Sequence, residues 1–258
     1  MSGMLVGMEK LSTKGSRLVN RMRDVVFPPV CLFCKKAERD GACCCSRCLQ
    51  SIHVYAHDCC LACGVELPES LAPGPCGHCL QHPPPQSQTH SLYQYNGPVR
   101  DAVLAWKLQG DDSAVRWLVQ QAMPRLRESI DEHALLLPVP MPLSRMRKHG
   151  QHHAANMCRW LADDIGCAWD WRILRRIGEQ PRQSALSGSA RRKNLRKAFA
   201  LAADYEQRCL DISPTPNAVW LVDDIVTTGS TLYFAAKTCL DLGITVKVLS
   251  LARTSYRG

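Results

Sequence analysis

Between Val219 and Leu232 the chain reads VWLVDDIVTTGSTL, a run whose residue types suit the holding of a phosphorylated sugar. Val219, Trp220, Leu221 and Val222 are apolar without alternation, as in a strand buried on both faces of a parallel sheet. Two carboxylates, Asp223 and Asp224, stand where that strand is expected to end. Thr227, Thr228, Gly229, Ser230 and Thr231 follow, offering hydroxyl donors around a glycine free to take positive φ and to let backbone approach an anion. The next residues, LYFAAKTCLDLG, read as a helix, whose N-terminus directs free N–H groups and partial positive charge at the same point. Where the chain turns at a strand end, both carboxylates can reach forward to vicinal hydroxyls such as ribose O2 and O3. The plainer alternative is an Asp-rich helix cap without a ligand.

A second chemistry is written in cysteine. Four Cys-x-x-Cys pairs occur: Cys31 and Cys34, Cys45 and Cys48, Cys60 and Cys63, Cys76 and Cys79. Each lets two thiolates grip one ion from a single knuckle, and two knuckles complete a tetrahedral site. With 10 residues between the first two pairs and 12 between the last two, sequential pairing gives two small ribbons and two structural zinc ions. The region is short of aliphatic core, so metal would supply its folding free energy. Cys43, Cys44 and Cys59 are surplus, and the CCC run leaves the ligand at the second knuckle open within Cys43 to Cys45. His78 and His82 are alternative ligands, less suited than a paired thiol. A closed four-thiolate site leaves no open position for catalysis.

The elements that must position these groups can be placed coarsely. Two further buried strands are expected, Ala134 to Val139 (ALLLPV) and Thr245 to Ala252 (TVKVLSLA), with a short strand at Ser91 to Tyr95 and another at Trp169 to Ile177. Helices are expected over Val99 to Leu108, Ala114 to Leu126 and the AANMCRWLADDIG segment that begins at Ala154. Strands alternating with helices predict an α/β fold with a twisted, mainly parallel sheet flanked by helices. A basic loop leaving the second strand carries Arg145, Arg147, Lys148 and His149 around Gly150, where an α/β sheet binds anions. Lys107 falls near a helix C-terminus, a position that also suits the helix dipole. Residues 178 to 198 form a long polar loop suited to a lid, whose closure would bring Arg182, Gln183, Arg191, Arg192 and Asn194 over a bound phosphate ester.

Composition sets the outer limits. The 258 residues are 46% hydrophobic and 21% charged, as in an ordinary soluble globular protein. The N-terminal MLVGM is too brief for a signal-peptide core, no stretch approaches a membrane span, and a cytoplasmic location is expected. In that setting fifteen cysteines point to metal rather than disulfides. A formal charge of +9 favours polyanionic partners, whether phosphorylated substrate or nucleic acid. From Ser16 to Phe27 apolar residues recur at helical spacing, read as an amphipathic helix on the body of the protein. The expected organisation is therefore 1–29 tail and helix, 30–80 double zinc ribbon, 81–90 a stiff Pro-rich linker, and 91–258 the sheet domain.

The strand, Asp-Asp and Thr-Thr-Gly-Ser-Thr order resembles the phosphoribosyl pyrophosphate (PRPP) motif of type I phosphoribosyltransferases. Nearly the whole chain is similar to the ComF/GntX family, a double zinc ribbon joined to a type I phosphoribosyltransferase-like domain. VFPPVCLFC, WKLQGD, LLPVP, Gln183, Leu186, Arg191, Asn194 and Phe199, and the last strand carry that resemblance. It implies that 145–151 is a pyrophosphate loop and 178–198 a flexible loop closing over PRPP. It also implies that Lys107, Arg145, Arg147, Lys148, Arg182, Arg191 and residues 227–231 bind PRPP with Mg2+. The chain departs from the family pattern Arg-Gly-Phe-Asn-Gln-Ala, having His149-Gly150-Gln151-His152-His153-Ala154 instead.

Two functions follow as expectations. In the first, Asp223 and Asp224 stabilise an oxocarbenium-like sugar while Mg2+ and cations stabilise departing pyrophosphate, the acceptor being unspecified. In the second, the chain is a single-stranded-DNA-binding accessory factor with a regulatory or vestigial PRPP site. The resemblance adds natural transformation or use of external DNA as the setting; a third option is that the zinc module docks a protein partner, such as a DNA-uptake or helicase protein.

Overall fold

The computed structural model describes residues 29–38, 41–55, 59–68, 74–177 (Lys148 and His149 by backbone alone) and 197–255. The helix expected over 16–27 and the lid expected over 178–198, its last two residues apart, lie outside these. The chain forms two compact units, Met1–Ser51 and Ile52–Gly258, so that the division falls between the two ribbons and the second ribbon belongs with the sheet.

The first unit holds a knuckle closed by an antiparallel bridge between Val30 and Ala37, followed by helix α1, Ser46–Gln50. In the second unit the elements are α2 (Gly77–Gln81), β1 (Gln88–Gln94), α3 (Gly97–Gln109), α4 (Ser113–Ser129), β2 (Ala134–Pro138), α5 (Leu143–His149) and α6 (His153–Ile165). Then come β3 (Ala168–Trp169), β4 (Leu174–Arg176), β5 (Phe199–Leu201), α7 (Tyr205–Leu210), β6 (Ala218–Val226), α8 (Ser230–Cys239), a 3-10 turn (Leu240–Leu242) and β7 (Thr245–Arg253).

Five strands make one sheet in the order β1-β7-β6-β2-β3, every neighbouring pair parallel. The expected fold class holds for the reason given by the apolar runs: β2 is buried along its whole length and β6 from Ala218 to Val222, as central strands covered on both faces must be. On one face Val219, Leu221, Val246 and Val248 pack with Ala235, Ala236 and Cys239 of α8. Against the other stands an aromatic cluster in which Trp106 of α3 meets His153 at 4.6 Å and Trp160 of α6 at 5.5 Å between ring centroids.

Three expectations are corrected. The strand expected over Trp169 to Ile177 is two strands in two sheets, β3 in the main sheet and β4 paired antiparallel with β5. Asp170 divides them, because its Oδ1 accepts from the Arg172 amide at 2.7 Å and from Arg172 Nε at 3.2 Å, a local turn that competes with ladder bonding. The basic loop after β2 is in large part a helix, α5, closed by Gly150 at φ 66°, where glycine avoids the left-handed penalty. Finally, β1 starts at Gln88, within the stretch expected as linker, because Gln88, Thr89 and His90 pair with Lys247, Val248 and Leu249 of β7.

Candidate functional site

Sheet topology selects one crevice. From β6 the chain passes through α8 to β7 on one side, and from β2 through α5 and α6 to β3 on the other. The order therefore reverses between β6 and β2, and the ends of adjacent strands diverging to opposite sides open a ligand crevice at their C-terminal rim. There the Val139 amide donates to the Val222 carbonyl at 2.9 Å, and the acidic pair follows at once.

β6 runs past that pair to Val226, and the two carboxylates stay near enough to feel each other and Lys107. Lys107 Nζ of α3 sits 2.7 Å from Asp224 Oδ2. Asp223 Oδ1 accepts from the Asp224 amide at 2.9 Å. Burial and the neighbouring Asp224 charge push the Asp223 carboxyl up to about 8, while that amide and Lys107 act against the rise. In the ligand-free chain the pair thus holds one charge firmly, and the second calls for a cation or hydroxyl donors.

After Val226 the backbone bends over residues 227–229, and α8 begins. Gly229 has φ 73°, as the sequence required, and space is open around it. Thr228 Oγ1 and Ser230 Oγ lie 3.1 Å apart, and no side chain caps the helix. Thr227 and Thr228 are exposed; Gly229, Ser230 and Thr231 are half-buried. The bend therefore presents hydroxyls and a helix N-terminus to the crevice from the β6 side.

From the β2 side come α5, with Arg145 and Arg147 exposed, and the segment leading into α6. Arg182 and Arg191, expected over the phosphate, fall outside the described residues, as does the side chain of Lys148. Two residues went unassigned in the sequence. His152, at the family's Asn position, caps α6 by accepting from the Ala155 amide at Nδ1, 3.2 Å away, as an Asn oxygen would. Burial lowers its pKa, while its own backbone hydrogen bond and the charge of Asp224 act against that. Arg176 of β4 lies over the Phe199 ring at 5.4 Å; burial and the nearby charge of Arg145 lower its pKa, which places two guanidiniums in one field. The departure from the family pattern pointed to His152, whereas Arg176 depends on β4 folding back along β5. A cavity of about 310 Å³, lined by Asp131, Asn217, Trp220 and Lys247, opens at the N-terminal ends of β6 and β7 and contains none of these groups.

The cysteines gather as two sets of four, Cys31, Cys34, Cys45 and Cys48, and Cys60, Cys63, Cys76 and Cys79, with all sulfurs of a set within 4.8 Å of one another. Cys34 and Cys45 Sγ are 3.9 Å apart, and so are Cys63 and Cys76 Sγ. A tetrahedral zinc with bonds of about 2.3 Å needs sulfurs about 3.8 Å apart, so both sets fit the ion. Cys45 is the member of the CCC run in the set, and neither His78 nor His82 belongs to one. Burial would raise the Cys31 thiol, but the amides of Cys45, Cys34 and Phe33 outweigh it and bring it down to about 6. Burial of Cys60 is outweighed in the same way by the amides of Cys63, Cys76 and Ala62, bringing it to about 7. Such thiols are ready to lose their protons to a metal.

These observations define an α/β protein with two structural zinc centres and an anion-suited rim at the switch point of its sheet. The double zinc ribbon domain matches residues 22–80. The chain is 32% identical over 216 residues to DNA utilization protein YhgH of Salmonella typhimurium, covering 81% of this chain and 90% of that one. To YhgH of Escherichia coli O157:H7 it is 29% identical over 231 residues (87% and 90%), and to competence protein F of Haemophilus influenzae 31% over 219 (81% and 90%). The chain belongs to the ComF/GntX family. Among the described residues no helix is long and apolar enough to cross a membrane.

Proposed function

We propose that this chain is a cytoplasmic PRPP-binding protein of the phosphoribosyltransferase type, acting in the uptake or use of external DNA. The observation that carries the reading is the acidic pair and hydroxyl-rich bend standing together at the β6 side of the switch-point crevice. Residues 227–231 hold the 5-phosphate through amides and hydroxyls. Asp224, kept in place by Lys107, and Asp223 receive the ribose hydroxyls and, as charge grows on the sugar, stabilise it. Arg145 and Arg147, with Lys148, Arg182 and Arg191, steady the pyrophosphate. Mg2+ bound with the pyrophosphate would lower the charge on the leaving group.

Calorimetric titration with PRPP and Mg2+ tests the reading. Saturable binding is expected, weakened at least about tenfold, or roughly 1.4 kcal/mol, by Asp224→Asn. Pyrophosphate release is then screened with free bases and with single-stranded DNA as acceptors. No binding by the zinc-loaded wild-type chain would end the reading.

The exposed arginines of α5, the formal charge of +9 and the names of the relatives favour a second reading, a single-stranded-DNA-binding accessory factor. Its mark is affinity for single-stranded DNA that falls steeply with salt and survives Asp223→Asn with Asp224→Asn. DNA-uptake or helicase proteins are the partners this reading implies.

A further inference from the structure

β7 ends on Arg253, whose side chain is only 6% exposed. A buried guanidinium is costly unless an opposite charge and acceptors meet it. Among the described residues no carboxylate lies within ion-pair distance of it. Its side chain meets the second zinc knuckle instead: Nη1 donates to the Cys63 carbonyl at 2.8 Å. The same nitrogen lies 3.3 Å from where a Cβ on Gly64 would stand. Cys63 is one of the four thiols of that centre, and zinc with four thiolates carries a net charge of about −2. A half-buried dianionic centre and an adjacent buried cation compensate one another.

The backbone of Arg253 belongs to the rim. It pairs with Gln94 of β1 on one side and Val226 of β6 on the other. Its carbonyl accepts from the Tyr95 amide at 2.7 Å, and the Thr254 amide donates to the Val226 carbonyl at 3.0 Å. Val226 immediately precedes the 227–231 bend. One residue thus touches the metal knuckle through its side chain and the end of β6 through its backbone.

We propose that Arg253 is the counter-cation and positioning residue of the second zinc ribbon, joining that metal centre to the C-terminal ends of β6 and β7 and so holding the 227–231 bend in place. The inference stands whether or not the rim takes a phosphorylated pentose. It makes the second ribbon part of the rim's architecture.

The test uses the full-length, zinc-loaded chain. Zinc release to a chromogenic chelator is followed in time, and amide exchange over residues 226–233 is followed by mass spectrometry. Arg253→Gln is expected to speed release of one of the two zinc ions about 10- to 100-fold, to leave the other unchanged, and to raise exchange at 226–233. Arg253→Lys, which keeps the charge and loses the fork, gives an intermediate effect and serves if the glutamine variant does not fold. Cys60→Ser, removing a ligand of the second centre, should raise exchange at 226–233, whereas Cys34→Ser should not. Unchanged release from both centres in the Arg253 variants overturns the proposal. So does faster release with unchanged exchange at 226–233, since the knuckle would then be supported without reaching the rim.

Discussion

The two zinc knuckles repeat one another bond for bond. In the first, the Lys35 amide donates to the Cys31 carbonyl at 2.9 Å, Cys31 to Lys36 at 2.9 Å, and the Cys45 amide to Cys31 Sγ at 3.4 Å. In the second, Gly64 donates to Cys60 at 2.7 Å, Cys60 to Val65 at 2.8 Å, and Cys76 to Cys60 Sγ at 3.1 Å. Both turns need a left-handed residue, Lys35 at φ 57° and Gly64 at φ 70°. They differ in what the residue can be. A Cβ on Gly64 would stand 2.9 Å from Thr89 Cγ2, because the second knuckle is seated on β1 and β7. Four thiols impose the same backbone twice, while neighbouring sheet decides which side chain that backbone can carry.

The seating explains the edge of the sheet. The Thr89 amide and hydroxyl donate to the carbonyls of Leu61 and Ala62, each at 2.8 Å. The Tyr55 amide donates to Leu92 at 3.0 Å, and the Gln94 amide to His53 at 2.9 Å. An edge strand offers free groups to any passing chain, and here His53, Tyr55, Leu61 and Ala62 take them up.

The comparison is most severely tested by removing one metal at a time. Cys60→Ser should collapse much of the stability of the sheet-bearing unit, with its melting midpoint down by roughly 10 °C or more, since structural zinc contributes several kcal/mol of folding free energy. Cys31→Ser should leave that transition in place, and equal effects would break the distinction. Next in size is the left-handed residue itself. Gly64→Ala should cost about 2–3 kcal/mol in urea unfolding, from backbone strain plus the clash with Thr89. Lys35→Gly should be neutral or stabilise by up to about 1 kcal/mol.

A pH series sharpens the comparison further. Asp223 has a folded pKa raised to about 8. Between its unfolded value near 4 and that raised value, the folded chain binds more protons than the unfolded one, so stability falls as pH rises across this window. The loss should appear in the sheet-bearing transition and be largely removed by Asp223→Asn. Smallest is a single seating bond. Thr89→Val should cost about 1 kcal/mol, whereas Ser51→Ala, which removes an exposed hydroxyl bonded to the Arg47 carbonyl at 3.1 Å, should cost nearly nothing.

Legibility followed the range of the interactions. Val219 to Val222 announced a central strand because burial on both faces leaves no room for alternation, and Gly229 announced a left-handed bend. The cysteine pairs announced their sites because two ligands three residues apart grip one ion without help from distant chain. By contrast, nothing near Lys107 signals a carboxylate more than a hundred residues onward, and helix-dipole logic accounts equally well for a lysine there. The Trp169 to Ile177 run was apolar enough for one strand, yet one Asp170 side chain bonding to the backbone two residues ahead divided it between two sheets.

By itself the sequence determined the Cys-x-x-Cys knuckles, the parallel sheet and the acidic, hydroxyl-rich bend, since each is specified by residues within a few positions of one another. Only the tertiary structure decided that Lys107 holds Asp224, and that the second ribbon rests on the sheet while Arg253 touches both. Those outcomes depend on strand register and on which surfaces meet across long stretches of chain, and short-range residue pattern does not encode the distance between them.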